Sequence, residues 1–341
     1  MNSFRGKTFR LLFIALPVLA ATVLLWSCKQ EEEASQSEDK VWKLNMIKYE
    51  ELRQTKDAEE GFREGLKESG LIEGEDYVLV SRNGEGDNKT VLSHIDISKT
   101  DGTDILISLQ TSTLHSVVKR GEGIPVVFMV VANPFVISSV GNDDESHLPY
   151  ITGVYTNTTF DDMMEYIKAC LPNASSIGTL YSFPELDGRY YRGQLKDAAA
   201  RVNLELKELG VTYKSSVPGS TQDLIDMGVD AICQIEDNLT TSAFPSLMKV
   251  ARDNKIPVFS FVNEQAEIGS VIVYAPDYRL SAKKAARMTA RIIRGDIPGD
   301  IPFDRVEKFD RIVNLKAAAD LGITIPQYII DQADIVIGKD D

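Results

Sequence analysis

The sequence is poor in the residue types on which most enzymes and metal proteins depend. Its 341 residues include only three cysteines and three histidines. The histidines, His94, His115 and His147, share no metal-ligand spacing, and a lone histidine is usually a surface or core residue. The chain also lacks a Gly-x-x-x-x-Gly-Lys-Ser/Thr loop, a Gly-x-Ser-x-Gly elbow, a His-Glu-x-x-His pair and a Cys-x-x-Cys pair. We therefore expect no enzyme activity, no metal and no cofactor.

Positive charge is also scarce. The chain has 37 Lys and Arg against 51 Asp and Glu, a formal net charge of −14. Such acidity argues against nucleic acid or an anionic membrane surface as a partner. The charge does not identify a ligand, because most carboxylates of an acidic protein are solvated.

The first 27 residues have the pattern of a secretory signal peptide. Arg5, Lys7 and Arg10 precede an apolar run of 16 residues that ends at Trp26. The Leu25-Trp26-Ser27-Cys28 ending resembles a bacterial lipobox, in which Cys28 becomes the lipidated first residue. An N-terminal transmembrane anchor is the alternative, although ~20 residues are needed to span a bilayer. Either way, we expect an extracytoplasmic domain tethered to a bacterial membrane, in the periplasm or at the cell surface.

Residues 28–40 form an acidic segment after Cys28. They contain no large apolar residue and cannot support a core, so they are interpreted as a linker. With Cys28 assigned to a lipid, Cys170 and Cys233 remain, in a helix-like and a strand-like segment. We expect two half-buried thiols and no disulfide.

Strand-like and helix-like segments alternate through the rest of the chain. The apolar run 105–109, for example, leads into a helix-like segment at 114–120. Repeated β-α units with short connections predict parallel strands with helices on both faces. A second series begins with Ile151-Thr152-Gly153-Val154, so the fold class is α/β with two lobes. Ligands in such sheets bind at the carboxyl ends of the strands.

Two strand ends have complementary chemistry. Thr111, Ser112 and Thr113 follow the buried strand 105–109 at a helix start, where free N–H groups and the helix dipole favour an anion. Asp237 and Asn238 follow the strand 231–235, and a carboxylate there would pair with an ammonium group. Ordinary helix capping is the alternative for both, with the second helix beginning near Thr240. We predict that the two strand ends face each other across a cleft.

Other strand ends supply further candidates for the wall of this cleft. Glu236, beside Asp237, adds charge to the site or points to solvent. Aromatic residues at strand ends could stack on an apolar or aromatic ligand, although each alone is more often part of a core. A site with polar ends and an apolar middle fits an amino acid. The candidates that follow strands are Asn133, Asn263, Tyr49, Tyr155, Tyr181 and Phe183.

Several segments carry a family resemblance, above all Arg-Ile-Val-Asn-Leu-Lys-Ala-Ala-Ala-Asp-Leu-Gly-Ile-Thr-Ile-Pro at residues 311–326. Others are Gly-Phe-Arg-Glu-Gly-Leu at 61–66, Ile-Pro-Val-Val-Phe at 124–128 and Lys-Ile-Pro-Val-Phe at 255–259. Together they resemble the bacterial ABC transporter substrate-binding family whose better-known members take up tryptophan and other aromatic amino acids.

The resemblance implies a type I periplasmic-binding-protein fold with a ligand enclosed between two lobes. By that pattern the first lobe takes residues 41–151 and 273–304, and the second takes residues 152–272 and 305–337. The hinge then lies near Thr152, Val273 and Arg305, and its closure excludes water from the ligand.

The resemblance also implies a role for the two strand ends. Thr111, Ser112 and Thr113 match the position that meets a ligand carboxylate, and Asp237 with Asn238 matches the Asp-Asn pair of the second lobe. We expect capture of a small molecule, an aromatic or apolar amino acid, and its delivery to ABC permease subunits. The alternatives are a ligand-sensing receptor domain for a membrane sensor, or an importer protein for a nucleoside or peptide.

Overall fold

The computed structural model describes residues 40–338. The signal peptide, Cys28 and nearly all of the acidic linker lie outside the described residues, so the predictions about them stay predictions. Within residues 40–338, no helix has both the length and the apolar character needed to cross a membrane.

The described chain alternates strands and helices in the predicted order. The strands are β1 (Trp42–Lys48), β2 (Tyr77–Asn83), β3 (Ile105–Leu109), β4 (Val126–Val131), β5 (Ile151–Tyr155), β6 (Ser176–Ser182), β7 (Glu205–Val211), β8 (Ala231–Gln234), β9 (Val258–Ser260), β10 (Ile272–Pro276), β11 (Asp304–Arg305), β12 (Phe309–Asn314) and β13 (Ile335–Ile337). The helices are α1 (Arg53–Glu68), α2 (Asn88–Ser98), α3 (Thr111–Arg120), α4 (Asp161–Cys170), α5 (Leu186–Arg201), α6 (Val217–Asp226), α7 (Asn238–Asp253), α8 (Gln265–Ile268), α9 (Tyr278–Ile293), α10 (Leu315–Asp320) and α11 (Gln327–Asp331).

Two sheets organise the molecule. The first has the order β11-β5-β4-β3-β1-β2, and the second has the order β13-β12-β10-β9-β8-β6-β7. All pairs are parallel except β10 with β12. Strands β3, β4 and β5 are buried along their whole length, because helices cover both faces of a parallel sheet. The predicted α/β class with two parallel-sheet lobes is confirmed.

The chain crosses between the two sheets three times. It leaves the first sheet after β5, the second after β10, and the first again after β11. The crossings expected near Thr152 and Val273 fall inside β5 and β10, so those positions are corrected to the segments after Tyr155 and Pro276. The reason is that β5 pairs with β4 of the first sheet and does not begin a new lobe. The other predicted limits of the lobes stay predictions.

Helices α1 and α9 pack closely against each other on the first sheet. Glycine makes this approach possible: a Cβ on Gly61 would lie 2.4 Å from the carbonyl oxygen of Arg279. A Cβ on Gly65 would lie 2.7 Å from the Cβ of Ala286. The pair brings the start of each helix, with Gln54 on α1 and Tyr278 on α9, to the same end of the lobe.

Both remaining cysteines are buried and free. Cys170 ends α4 and Cys233 lies in β8. Burial raises the pKa of the Cys170 thiol to about 11. The prediction of free thiols is confirmed, but both are buried and not half-buried as expected.

Candidate functional site

A small cavity lies between the lobes, where strands of both sheets end. Its volume is about 20 Å³, which is room for roughly one water molecule. The first lobe and its crossing segment contribute one part of the wall, and the second lobe contributes the rest. The lining residues are Gln54, Gln110, Val130, Ala132, Thr156 and Tyr278 on one side and Asp187, Tyr191, Glu236, Asp237 and Asn238 on the other.

Hydrogen bonds join the two lobes across this cavity. The Nε2 of Gln110 donates to the Oδ1 of Asn238 at 2.6 Å. The Nε2 of Gln54 donates to the Oε1 of Glu236 at 3.2 Å, and the hydroxyl of Tyr278 donates to the same oxygen. The lobes are therefore closed on each other in this structure.

The N-terminus of α3 meets the cleft from the first lobe. The helix begins at Thr111, and no side chain caps its first turn. Thr111 is buried, and its Oγ1 accepts a hydrogen bond from the N–H of Ala132 at 3.2 Å. The Oγ1 of Thr113 is buried without a partner among the described residues. The three hydroxyl residues do not line the small cavity themselves, but Gln110 directly before them does.

Asp237 faces the cavity and also caps α7. Its Oδ1 accepts hydrogen bonds from the N–H and the hydroxyl of Thr240, both at 2.7 Å, and its Oδ2 accepts from the N–H of Ser182 at 2.7 Å. Both interpretations of this residue, as cavity wall and as helix cap, therefore apply. Burial, followed by the charge of Glu185, raises the pKa of Asp237 to about 7.

A second carboxylate, Glu185, completes the N-terminus of α7. It accepts hydrogen bonds from the N–H groups of Asn238 and Leu239, both at 3.0 Å, and from the Nδ2 of Asn238 at 2.6 Å. The start of α7 thus carries two carboxylates, whereas the start of α3 has no capping side chain. One side of the cleft attracts a cation and the other retains free anion-binding N–H groups.

Carboxylates dominate the wall on the second lobe. Asp187, Glu236 and Asp237 line the cavity, and no Lys or Arg is among its lining residues. Burial is the first cause that raises the pKa of Asp187, and Glu185 and Asp237 add to the effect. Burial also raises the pKa of Glu236 to about 7, with contributions from Glu264 and Asp237. Glu236 lines the cavity and does not point to solvent, which was one of the two possibilities left open by the sequence.

Two cavity residues have a backbone conformation that their side chains rarely adopt. Gln110, after β3, has a φ of 73°, and Val130, in β4, has a φ of 57°. The pairing register of β4 with β5 shifts between Phe128 and Val131 at the same place. A β-branched residue in the left-handed region is a genuine outlier, and such strain concentrates at functional sites.

A larger cavity of about 320 Å³ lies beside the small one. It is also lined from both lobes, with Tyr49 and Ser112 on one side and Leu186, Tyr213 and Leu239 on the other. Burial, followed by the charge of Glu185, raises the pKa of Tyr49 to about 12. Of the aromatic candidates, Tyr49 is the one that borders this cavity.

The other three aromatic candidates do not line either cavity, so their role in ligand binding stays a prediction. Tyr155 is buried in the first lobe, where its hydroxyl donates to the Oδ1 of Asp144 at 3.0 Å. Tyr181 packs under Arg192. Phe183 is 60% exposed. The strand ends were located correctly, but the side chains belong to the core or to the surface.

The two asparagines expected to bind ligand also have structural partners. The Oδ1 of Asn133 accepts from the N–H of Phe135 at 2.9 Å and so caps the short 3₁₀ turn Pro134–Val136. The Nδ2 of Asn263 donates to the Oδ2 of Asp310 at 3.3 Å. Neither residue lines the two cavities, so their role as wall residues stays a prediction as well.

The sequence interpretation missed most of the small cavity. Gln110 and Glu236 adjoin predicted residues, and their position after a strand was the available signal. Gln54 and Tyr278 lie in the first turns of helices α1 and α9, and Tyr191 lies in the second turn of α5. No local signal identifies them, because only the packing of those helices turns them toward the cleft.

Comparison with known proteins agrees with this architecture. A curated tyrosine-binding protein of Clostridioides difficile (strain R20291) is 23% identical over 283 residues, which are 83% of this chain and 74% of that protein. The crystal structure of an ABC domain in complex with L-Trp from Streptococcus pneumoniae is 23% identical, with a TM-score of 0.83. The match covers 87% of this chain and all of the solved chain.

A third solved structure has the same fold. The ligand-free, open structure of a substrate binding protein with adhesive properties from Clostridium difficile is 23% identical, with a TM-score of 0.68. The match covers 88% of this chain and all of that one.

The family described as ABC transporter substrate binding protein matches residues 44–337. This match covers both sheets and all residues of the two cavities. The chain therefore belongs to the ABC transporter substrate binding protein family, and it is a binding protein and not an enzyme, as the sequence predicts.

Proposed function

We propose that this chain captures an amino acid outside the cytoplasm and delivers it to the permease of an ABC importer. The observation that carries the proposal is that one closed cleft has an anion-binding region on one wall and a cation-binding region on the other. The start of α3 has no capping side chain, and the facing wall holds Asp187, Glu236 and Asp237. A zwitterion has a carboxylate for the first end and an ammonium group for the second.

Aromatic and apolar amino acids are the first candidates for this ligand. The names of the relatives, a tyrosine-binding protein and a complex with L-Trp, support this class. The larger cavity, with Tyr49, Leu186, Tyr213 and Leu239 in its wall, is a suitable place for an apolar side chain. Closure of the lobes removes water from the charged ends and strengthens their hydrogen bonds.

The proposed attachment is a lipid on Cys28. The basic residues, the apolar run and the position of this cysteine support a lipoprotein signal. The acidic linker would then separate the binding lobes from the membrane.

A thermal-shift screen tests the proposed capture. The purified chain is melted with each of the twenty amino acids, and with nucleosides and short peptides. A ligand that binds only the folded state at a hundred times its Kd adds about 2.7 kcal/mol to the free energy of unfolding. We expect a shift with aromatic or apolar amino acids. The proposal is wrong if no amino acid shifts the melting temperature.

The variant Asp237→Asn tests the role of the second lobe. Asn removes the charge but can still cap α7 by accepting from the N–H of Thr240. We expect binding that is about 10- to 100-fold weaker, since a hydrogen bond to a charged group contributes about 1.5–3 kcal/mol. Asp253→Asn, at the exposed far end of α7, is the control and should bind as the wild type does. Unchanged binding by Asp237→Asn would remove this residue from the site.

A further inference from the structure

One part of the cavity wall has hydrogen-bond acceptors without donors. The Oε1 of Glu236 accepts from Gln54 and from Tyr278. The Oε2 of Glu236 and the Oε1 of Gln54 are both buried, and neither has a partner among the described residues. Gln54 is only 4% exposed and lines the cavity. Because a buried acceptor without a donor is destabilising, these two acceptors, on residues that hydrogen-bond to each other, point to a donor that arrives with the ligand.

The wall has three carboxyl groups, whereas an amino acid with a neutral side chain brings one ammonium group. Asp187, Glu236 and Asp237 all line the cavity. Asp187 is 8% exposed, and its side chain accepts from the N–H of the adjacent Gly188 at 3.2 Å. Burial raises the pKa of all three groups in the ligand-free protein, and a cation beside a buried carboxyl group favours its charged form. An amino acid with a positively charged side chain brings a second cation to this wall.

The carboxylates point to two different places. Asp237 is turned toward its own lobe, where Thr240 and Ser182 donate to it. Glu236, the preceding residue, reaches across the cleft to Gln54 on α1 and Tyr278 on α9. The cavity therefore has two acceptor groups with different partners, one bonded within the second lobe and one bonded across the cleft.

We propose that Gln54 and Glu236 form a second cation-binding subsite, so that the protein selects an amino acid with a positively charged side chain over one with a neutral side chain. The inference rests on the proposed capture of an amino acid and changes the class of its side chain. An ammonium or guanidinium group at this subsite donates to the Oε1 of Gln54 and to the Oε2 of Glu236 together. Since these atoms belong to different lobes, the same contact holds the lobes closed.

Lysine and norleucine are a matched pair of probes, because they differ only in the terminal ammonium group. Isothermal titration of the full chain with each amino acid gives the ratio of their dissociation constants. We expect wild-type protein to bind lysine at least tenfold more tightly than norleucine. Glu236→Gln keeps the size of the side chain and removes its charge, and we expect it to lower the ratio at least fivefold while norleucine binding changes little.

Two variants serve as comparisons. Glu267→Gln, at an exposed position outside both cavities, should leave the ratio unchanged. Asp237→Asn should weaken lysine and norleucine by similar factors, because it acts on the ammonium group that both share. A loss of recognition of the lysine side chain changes the ratio of the two dissociation constants, whereas a general loss of binding changes both constants and leaves their ratio the same.

The wild-type ratio alone can overturn the inference, even if a variant fails to fold. If norleucine, tyrosine or tryptophan binds as tightly as lysine, the second subsite is wrong while amino-acid capture stands. A lysine preference that survives Glu236→Gln also overturns the assignment. If no amino acid binds, both the capture and the subsite are wrong.

Discussion

Glu236 is a carboxylic acid whose charge depends on its surroundings. It is faced by Gln54 of α1, Tyr278 of α9, and Asp187 and Tyr191 of α5, with Asp237 and Glu264 nearby in the second lobe. Burial raises its pKa from 4.5 to about 7. Without a ligand the side chain is therefore partly protonated near neutral pH, and a bound cation would favour its charged form.

This pKa predicts how the free energy of unfolding of the ligand-free protein changes with pH. Between pH 4.5 and 7, Glu236 binds more protons in the folded state than in the unfolded state. The contribution of Glu236 to the free energy of unfolding is fully present below pH 4.5, and it is lost as the pH rises through 7. The Glu236→Gln side chain does not titrate, so this contribution no longer changes with pH. We expect wild type and Glu236→Gln to have similar free energies of unfolding near pH 5. At pH 8 we expect the variant to be more stable than wild type by about 2 kcal/mol.

Urea unfolding of both proteins at several pH values measures this difference. Glu267→Gln is the control, since Glu267 is exposed and lies outside both cavities. A gap between wild type and Glu236→Gln that stays constant from pH 5 to pH 8 would contradict the raised pKa.

At single residues, the sequence predicted the charged ends of the site better than its walls. Asp237 and Asn238 line the cavity as expected, because a polar residue directly after a buried strand must lie at the sheet edge. Tyr155 and Phe183 follow the same rule and yet do not line a cavity. Whether a side chain at a strand end points into the cleft depends on its neighbours in space, and the pattern of residues along the chain does not contain that information.

At the scale of elements, the pair of helices α1 and α9 holds the first-lobe side of the second subsite. Gln54 lies in the first turn of α1, and Tyr278 is the first residue of α9. Gly61 lets the backbones approach, because a Cβ there would meet three backbone atoms of Arg279 within 3.0 Å. The spacing of the two helices thus sets the position of both side chains.

Substitution of that glycine should separate the helices. We expect Gly61→Ala to lower the free energy of unfolding by about 1–3 kcal/mol, the usual cost of overpacking, and to weaken ligand binding because Gln54 and Tyr278 move. Gly193→Ala on α5 is the matched control, since a Cβ there meets nothing within 4 Å. It should be neutral or stabilise by up to ~1 kcal/mol, as expected for Ala in place of Gly in a helix. Equal effects of the two substitutions in urea unfolding would contradict the tight packing.

Most elements were predictable because the apolar pattern is strong. Strand β3 has the predicted limits, and the helix expected at 114–120 begins three residues earlier, at Thr111. The prediction was less exact where a local feature set the boundary. The helix expected to begin near Thr240 begins at Asn238, because Asp237 caps it. The sheet to which β5 belongs depends on long-range pairing and could not be predicted locally.

At the scale of the whole molecule, binding and lobe closure are one equilibrium. The bond between Gln110 and Asn238 is buried and crosses the cleft. Gln110 also accepts from the N–H of Glu50 through its Oε1 at 3.0 Å, so its side chain is held in place for this bridge. Contacts that exist only in the closed form shift the population toward it.

Removal of the bridge should favour the open form. We expect Gln110→Ala to weaken ligand binding about fivefold, because a typical net hydrogen bond contributes about 1 kcal/mol, and to raise the dissociation rate. X-ray scattering should also show a larger radius of gyration for the ligand-free variant than for the ligand-free wild type. Gln332→Ala, at an exposed position after α11, is the control. Identical scattering and binding for all three proteins would show that the bridge does not contribute to closure.

The three crossings of the chain between the sheets also determine the order in which the molecule can fold. Strands β1 to β5 are made first, but α9, which covers their sheet and packs on α1, comes only after β10. Apolar residues of the first lobe such as Phe62 and Leu66 therefore stay uncovered until α9, more than 200 residues away in sequence, has been synthesised. Contacts of such high sequence separation slow folding and leave apolar surface open to aggregation. The lobe whose strands are synthesised first therefore cannot be completed until α9 follows, and the docking of α9 is the step on which its folding depends.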